Sequence, residues 1–235
     1  MKSKLKAPLK GKVLGILGGI GPESSAIFYQ RLIKIIQERH LVRNNVDYPR
    51  IIINSIPAPE LFLEKTKDQL SGPYLEGVKD LNKEKLDLIV IVCNTAYKYL
   101  EEFNKISKAP LLNLIEEVKN RLNYKQKYYL LGSSLTIKSK IFSFENIDIS
   151  CPNNAELKLI DDVIFSYNKS ANVCAAKKDL MKIVKKHQKE GKKFILGCTE
   201  ISLLLEKELP DKIDTFEVML GSTLEKLQNA RFINR

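Results

Sequence analysis

Leu88–Tyr97 reads LIVIVCNTAY: five β-formers run straight into a cysteine, an amide and a hydroxyl, and a helical pattern follows. About a hundred residues later Lys193–Ser202, KFILGCTEIS, repeats the arrangement. Short apolar runs of this kind predict buried strands. The handover from strand to helix is where an open α/β sheet builds its sites. Cys93 and Cys198 each fall at such a handover.

Outward from this pair, the chain alternates strand and helix patterns. Lys12–Leu17 (KVLGIL) predicts a strand and Gly18–Gly21 a turn, with Pro22 suited to a first helical position, where its missing N–H costs nothing. The helix after it places Ala26, Ile27, Tyr29, Leu32, Ile33 and Ile36 largely on one stripe. Pro49–Ile56 predicts the second strand, Ser71–Lys85 a helix, and Leu111–Ile115 a strand before a helix over Glu116–Leu122. The pattern then restarts. Lys127–Leu131 predicts a strand, Thr136–Phe144 a helix and Ile147–Cys151 a strand. Helices around Ala155–Lys169 and Ala175–Glu190 follow, then the strand Phe194–Leu196, the helix Thr199–Glu208, a short strand at Lys212–Asp214 and a last amphipathic helix, Phe216–Phe232.

The halves repeat: strand–turn–helix near residues 13 and 127, strand–Cys near 93 and 198, and a proline after a helix at 110 and 210. A period of about 100–115 residues predicts two pseudosymmetric α/β domains, not a solenoid of short units. Their expected extents are 1–108 and 109–214, each with a mostly parallel sheet flanked by helices. The final helix, 215–235, is expected to pack back on the first. A pseudo-twofold arrangement would bring both cysteines to one cleft between the domains.

Composition narrows the function. The 235 residues are 44% hydrophobic, enough for a substantial core, and no apolar run approaches the roughly 18 residues of a membrane span. The basic start, MKSKLKAPLKGK, leads into a strand pattern and not a signal-peptide core, so a cytoplasmic location is expected. The four cysteines show no CxxC pair or metal-ligand spacing, and the two histidines, His40 and His187, lie in charged helical patterns. No metal is expected. GIGPES lacks the third glycine of a dinucleotide fingerprint, and no acidic residue ends a second strand at the right distance, so no cofactor is expected. The net charge of +11 is spread over many lysines without interleaved aromatics to stack bases, which reads as solvated helix faces and not a nucleic-acid surface.

Two thiols in matching positions suggest acid–base work. A helix start offers free N–H groups and a positive dipole end, which lowers a thiol's pKa and equally binds a carboxylate. One thiolate and one thiol on opposite faces of a carbon remove a proton from one side and deliver one to the other, which inverts a stereocentre without a cofactor. Cys151 and Cys174 lack this setting and read as structural.

At GILGGIGPES (15–24), NSIPAP (54–59), CNTAY (93–97) and GCTEISLLL (197–205) the chain resembles the aspartate/glutamate racemases, cofactor-independent amino-acid racemases with two catalytic cysteines. The resemblance covers nearly the whole chain. It implies two pseudosymmetric α/β domains with the site between them, a homodimer, and a free amino acid as substrate, with an acidic one leading. It makes Cys93 and Cys198 the acid/base pair and Asn94, Thr95 and Thr199 the binders of the substrate carboxylate. It also places Thr136, in GSSLTIKS, near the substrate and Lys169 near the side-chain carboxylate. Two departures bear on the substrate. Leu61 stands where the family's NSxPxPDR carries an arginine, removing a bidentate anion clamp, and Tyr97 replaces the histidine of CNTAH. The other readings are a related small-acid isomerase or decarboxylase and a non-catalytic small-acid binding paralogue.

Overall fold

A computed structural model of the chain describes residues 9–58, 67–171 and 173–230. Leu61 lies outside these, so the loop departure stays a fact of sequence. The described chain forms two parallel sheets flanked by helices.

The first sheet contains β1 (Val13–Gly18), β2 (Arg50–Ser55) and β3 (Leu88–Ile91) in the order β2-β1-β3. Every pairing is parallel, with Leu14 opposite Ile51 on one side and Leu88 on the other. β1 and β3 are buried along their whole length, which is why their sequences are continuous apolar runs and not alternations. The crossovers are α1 (Pro22–Glu38) and α2 (Lys67–Leu81). The α1 face that is buried is Ser24, Ser25, Phe28, Leu32 and Ile36. This is a rotation from the expected stripe: Tyr29 points outward, 41% exposed, while two serines turn inward at the helix start. The turn before α1 needs glycine. Gly19 sits at φ 92°, and a Cβ there would lie 2.2 Å from the Ile56 carbonyl oxygen. The Ser25 hydroxyl closes the same turn, accepting from the Gly19 N–H at 2.9 Å and donating to the Gly21 carbonyl at 3.2 Å.

After β3 the chain makes a 3₁₀ turn, Thr95–Tyr99, and then α3 (Leu100–Ile106). The strand expected at Leu111–Ile115 shrinks to one bridge, Leu111 with Ile89. Asn113 ends it: its side chain accepts the Glu116 N–H and starts α4 (Leu114–Lys119).

The second sheet contains β4 (Tyr128–Leu131), β5 (Ile149–Ser150), β6 (Lys193–Leu196) and β7 (Lys212–Asp214), all parallel, in the order β5-β4-β6-β7. Its helices are α5 (Ser134–Lys138), α6 (Asn154–Asn168), α7 (Val173–Lys189) and α8 (Thr199–Leu204). α5 is shorter than the helix expected over Thr136–Phe144. Alternation along β4 divides the core: Tyr128 and Leu130 join the large cluster around the first sheet, while Tyr129 and Leu131 face Ile160, Leu180 and Val184 of α6 and α7.

The last helix, α9 (Thr215–Asn229), is capped by Asp214, whose side chain accepts the Phe216 N–H at 3.0 Å. α9 packs against α1, α4 and β3 as well as α8. Phe216 meets Phe28 edge-on, ring centroids 5.8 Å apart, and both are fully buried. Full burial of one such ring stabilises by about 2–3 kcal/mol.

Candidate active site

Two residues beyond the end of β3 stands Cys93, and two beyond the end of β6 stands Cys198. Parallel strands deliver both to the carboxyl edges of their sheets. A cavity of about 180 Å³ opens there, and the two cysteines line it together with Thr95, Ser133, Asn168, Glu200 and the Gly19–Pro22 turn. The matching strand ends of the sequence thus meet at one space.

Each sulfur receives helix-start donors. The backbone N–H groups of Thr95 and Ala96 and the Thr95 hydroxyl point at Cys93; those of Glu200 and Ile201 point at Cys198. These donors act to lower both thiol pKa values, as expected, but the net shift of each is upward. Burial, seconded by the Glu200 carboxylate, pushes Cys93 up to about 12 against the opposing N–H donors. Burial also raises Cys198 well above the ordinary thiol range, followed by the charge of Glu200 and a hydrogen bond to it. Desolvation outweighs the donors because both thiols are almost wholly shielded from water.

Glu200 is the residue that motif reading left without a role. It is buried, and its Oε2 accepts from the Cys198 thiol and the Thr199 hydroxyl, each at 2.9 Å, while Oε1 lies 3.4 Å from the Ser24 hydroxyl. The signal was present in GCTE, a carboxylate in the first turn of the helix that Cys198 caps.

A triangle of hydroxyls backs the Cys93 side. Thr95 Oγ1 lies 2.8 Å from Thr136 Oγ1 and 3.1 Å from Ser133 Oγ, and Ser133 lies 3.0 Å from Thr136. Thr136 is fully buried and reaches the cavity only through Thr95 and Ser133, which line it. Asn94 is buried beside Cys93, with neither polar side-chain atom hydrogen-bonded among the described residues. Thr199 is likewise behind the wall, turned to Glu200. Lys169 is not at the wall: it ends α6 with its Nζ 3.8 Å over the Phe165 ring, and its neighbour Asn168 lines the cavity instead. Tyr97, the second departure, is buried in the 3₁₀ turn.

No group of three or more His, Cys, Asp or Glu among the described residues is arranged to hold a metal ion. None of the described helices is long and apolar enough to cross a membrane.

Comparison with known proteins agrees with this arrangement of the fold. The family model described as Asp/Glu/Hydantoin racemase matches residues 17–220. A broad specificity amino-acid racemase, RacX of Bacillus subtilis, is 32% identical over 133 residues, which cover 55% of this chain and 58% of that protein. The match therefore spans less than two thirds of that relative's length. Among solved structures, a Picrophilus torridus aspartate racemase superposes with a TM-score of 0.75 at 22% identity, covering 92% of this chain and 94% of the other. An aspartate racemase homologue from Pyrococcus horikoshii gives 0.71 at 23% identity, covering 92% and 99%. These two likenesses speak to the fold.

Proposed function

We propose that this chain, which belongs to the Asp/Glu/Hydantoin racemase family, inverts the α-carbon of free amino acids by proton transfer between Cys93 and Cys198, with no pyridoxal phosphate. The observation that carries the reading is the convergence of the two cysteines on one cavity from two different sheets, each sulfur with two helix-start N–H donors. The similarity to an amino-acid racemase of broad specificity supports it.

Both thiols rest protonated, so the reaction needs a proton acceptor. Glu200 fills that role toward Cys198. The thiol proton moves along the 2.9 Å hydrogen bond to Glu200 Oε2, and the thiolate left behind is held by the N–H groups of Glu200 and Ile201. Because the transfer moves one negative charge from carboxylate to sulfur, the α-ammonium of the substrate favours it when seated nearer the sulfur than the carboxylate. Cys198 then takes the α-proton, and Cys93 delivers its own to the opposite face. At that point Cys93 is one proton short and Glu200 one proton rich, and transfer between them resets the site. The reverse enantiomer runs the steps backward.

The carbanion formed in passing needs donors at the substrate carboxylate. Thr95, fixed by Ser133 and Thr136, and the unsatisfied carboxamide of Asn94 are the groups assigned to it, with Thr199 positioning Glu200. Lys169 stays a distal contact only if the substrate side chain reaches past Asn168. A homodimer and a cytoplasmic location belong to the same reading, on the family resemblance and the composition.

The test is α-proton exchange. Incubation with L- and D-amino acids in D₂O under reducing conditions, followed by NMR and optical rotation, should show deuterium entering with racemisation. No exchange with any amino acid sinks the reading. Cys93→Ala and Cys198→Ala should each abolish racemisation, and full activity in either variant refutes the two-thiol mechanism.

A further inference from the structure

We infer that the site takes amino acids whose side chain carries no carboxylate, neutral or basic ones, in preference to aspartate and glutamate. The inference rests on the racemase reading and names its substrate class.

Charge at the wall is the first argument. Among the described residues that line the cavity there is no lysine, arginine or histidine, and Glu200 is the one carboxylate. A second carboxylate brought in on a substrate side chain would meet like charge and no counter-ion. Arg31 holds Glu206 and Glu217, each at 2.7 Å, and Lys169 lies over the Phe165 ring.

Geometry at Gly21 is the second. A Cβ on Gly21 would lie 2.9 Å from the Asn168 carboxamide oxygen and 3.3 Å from Glu200 Oε1. Two acceptor oxygens therefore converge on one point at the cavity's edge. A distal ammonium, guanidinium or hydroxyl group finds acceptors there, whereas a distal carboxylate faces the Glu200 carboxylate. The walls not made by these groups include Ile20, Pro22, Ala58 and Ile164, which suit an aliphatic side chain. At position 61, outside the described residues, the sequence has leucine where the resemblance carries an arginine able to grip an anion.

The experiment measures kcat/KM for α-proton exchange by the full chain with both enantiomers of aspartate, glutamate, alanine, leucine, methionine, lysine and arginine. The expected result is a best neutral or basic substrate that exceeds aspartate and glutamate by at least tenfold. A smaller margin, or an acidic amino acid as the best substrate, overturns the inference while leaving the racemase reading intact. No exchange with any of them overturns the racemase reading, and calorimetric binding of the same set then decides the substrate class separately. Tighter binding of leucine or lysine than of aspartate and glutamate supports the inference. Equal or tighter binding of the acidic pair, or no binding at all, overturns it.

Discussion

The high pKa of Cys93 has a measurable consequence in the free protein. Thiolates, not thiols, are alkylated, and moving a thiol from 9.0 to about 12 cuts its ionised fraction near pH 8 about 1000-fold, roughly 4 kcal/mol. Iodoacetamide labelling of Cys93, followed peptide by peptide by mass spectrometry between pH 7 and pH 10, should therefore give a rate that climbs about tenfold per pH unit with no plateau. Burial also slows the reagent sterically, but a steric barrier scales every rate alike and leaves the shape of the pH profile unchanged. The shape is the readout. Glu200→Gln removes the second cause of the elevation and leaves the first, burial. Within that window its labelling should run faster than the wild type's at every pH while staying slower than that of an ordinary thiol. The same substitution should depress racemisation, because an amide cannot take the Cys198 proton: a more ionisable thiol in a slower enzyme. A wild-type plateau below about pH 9.5 refutes the desolvation argument. An unchanged labelling rate in Glu200→Gln refutes the role of that carboxylate.

Thr136→Val should cost about 1–2 kcal/mol in urea unfolding, the usual toll of removing a hydroxyl from a buried network. It should also lower kcat/KM, since Thr95 loses its 2.8 Å partner and its aim. Gly21→Ala should fold, φ there being −70°, but its methyl would stand against Asn168 and Glu200, so activity should fall at least tenfold with little change in melting temperature. Glu156 supplies a pH effect away from the site. Burial works to raise its pKa, yet hydrogen bonds from Lys186, the Asn153 N–H, Tyr129 and His187 hold it down to about 2. A depressed carboxylate stabilises the fold above its unfolded value, and that stability is lost as pH falls from about 4.5 toward 2. Glu156→Gln should flatten the acid limb of a stability profile in that window and cost roughly 2 kcal/mol at neutral pH, measured by chemical denaturation.

The architecture was legible wherever the chain had to be buried on both faces. β1, β3, β4 and β6 read as apolar runs because parallel strands under helices admit nothing else. Leu111–Ile115 misled for the same reason, since its apolar content satisfies a helix start once Asn113 supplies the cap. At the site, the two cysteines and Thr95 were readable from strand-end spacing. Glu200 was not, because its importance lies in which atoms it faces across the fold, Ser24 on α1 among them. Lys169 was named by the resemblance, and Asn168 lines the cavity in its place: a difference of one residue at the end of α6, finer than the matching of short motifs fixes. The sign of the thiol shifts could not be read at all: the sequence displays the helix-start donors but not the depth of burial that outweighs them.

The resting protonation of the two thiols also sets how the protein meets oxidants. Peroxide attacks thiolates, and susceptibility follows thiolate character and exposure. Cys93 and Cys198, buried and protonated, are the poorest targets in the chain, while Cys151 and Cys174 stand exposed at the surface. Mild oxidation therefore falls first on cysteines that the proposed chemistry does not use. In the proposed reaction Cys93 and Cys198 would take on the vulnerable thiolate form only for the part of a turnover when a substrate occupies the space beside them.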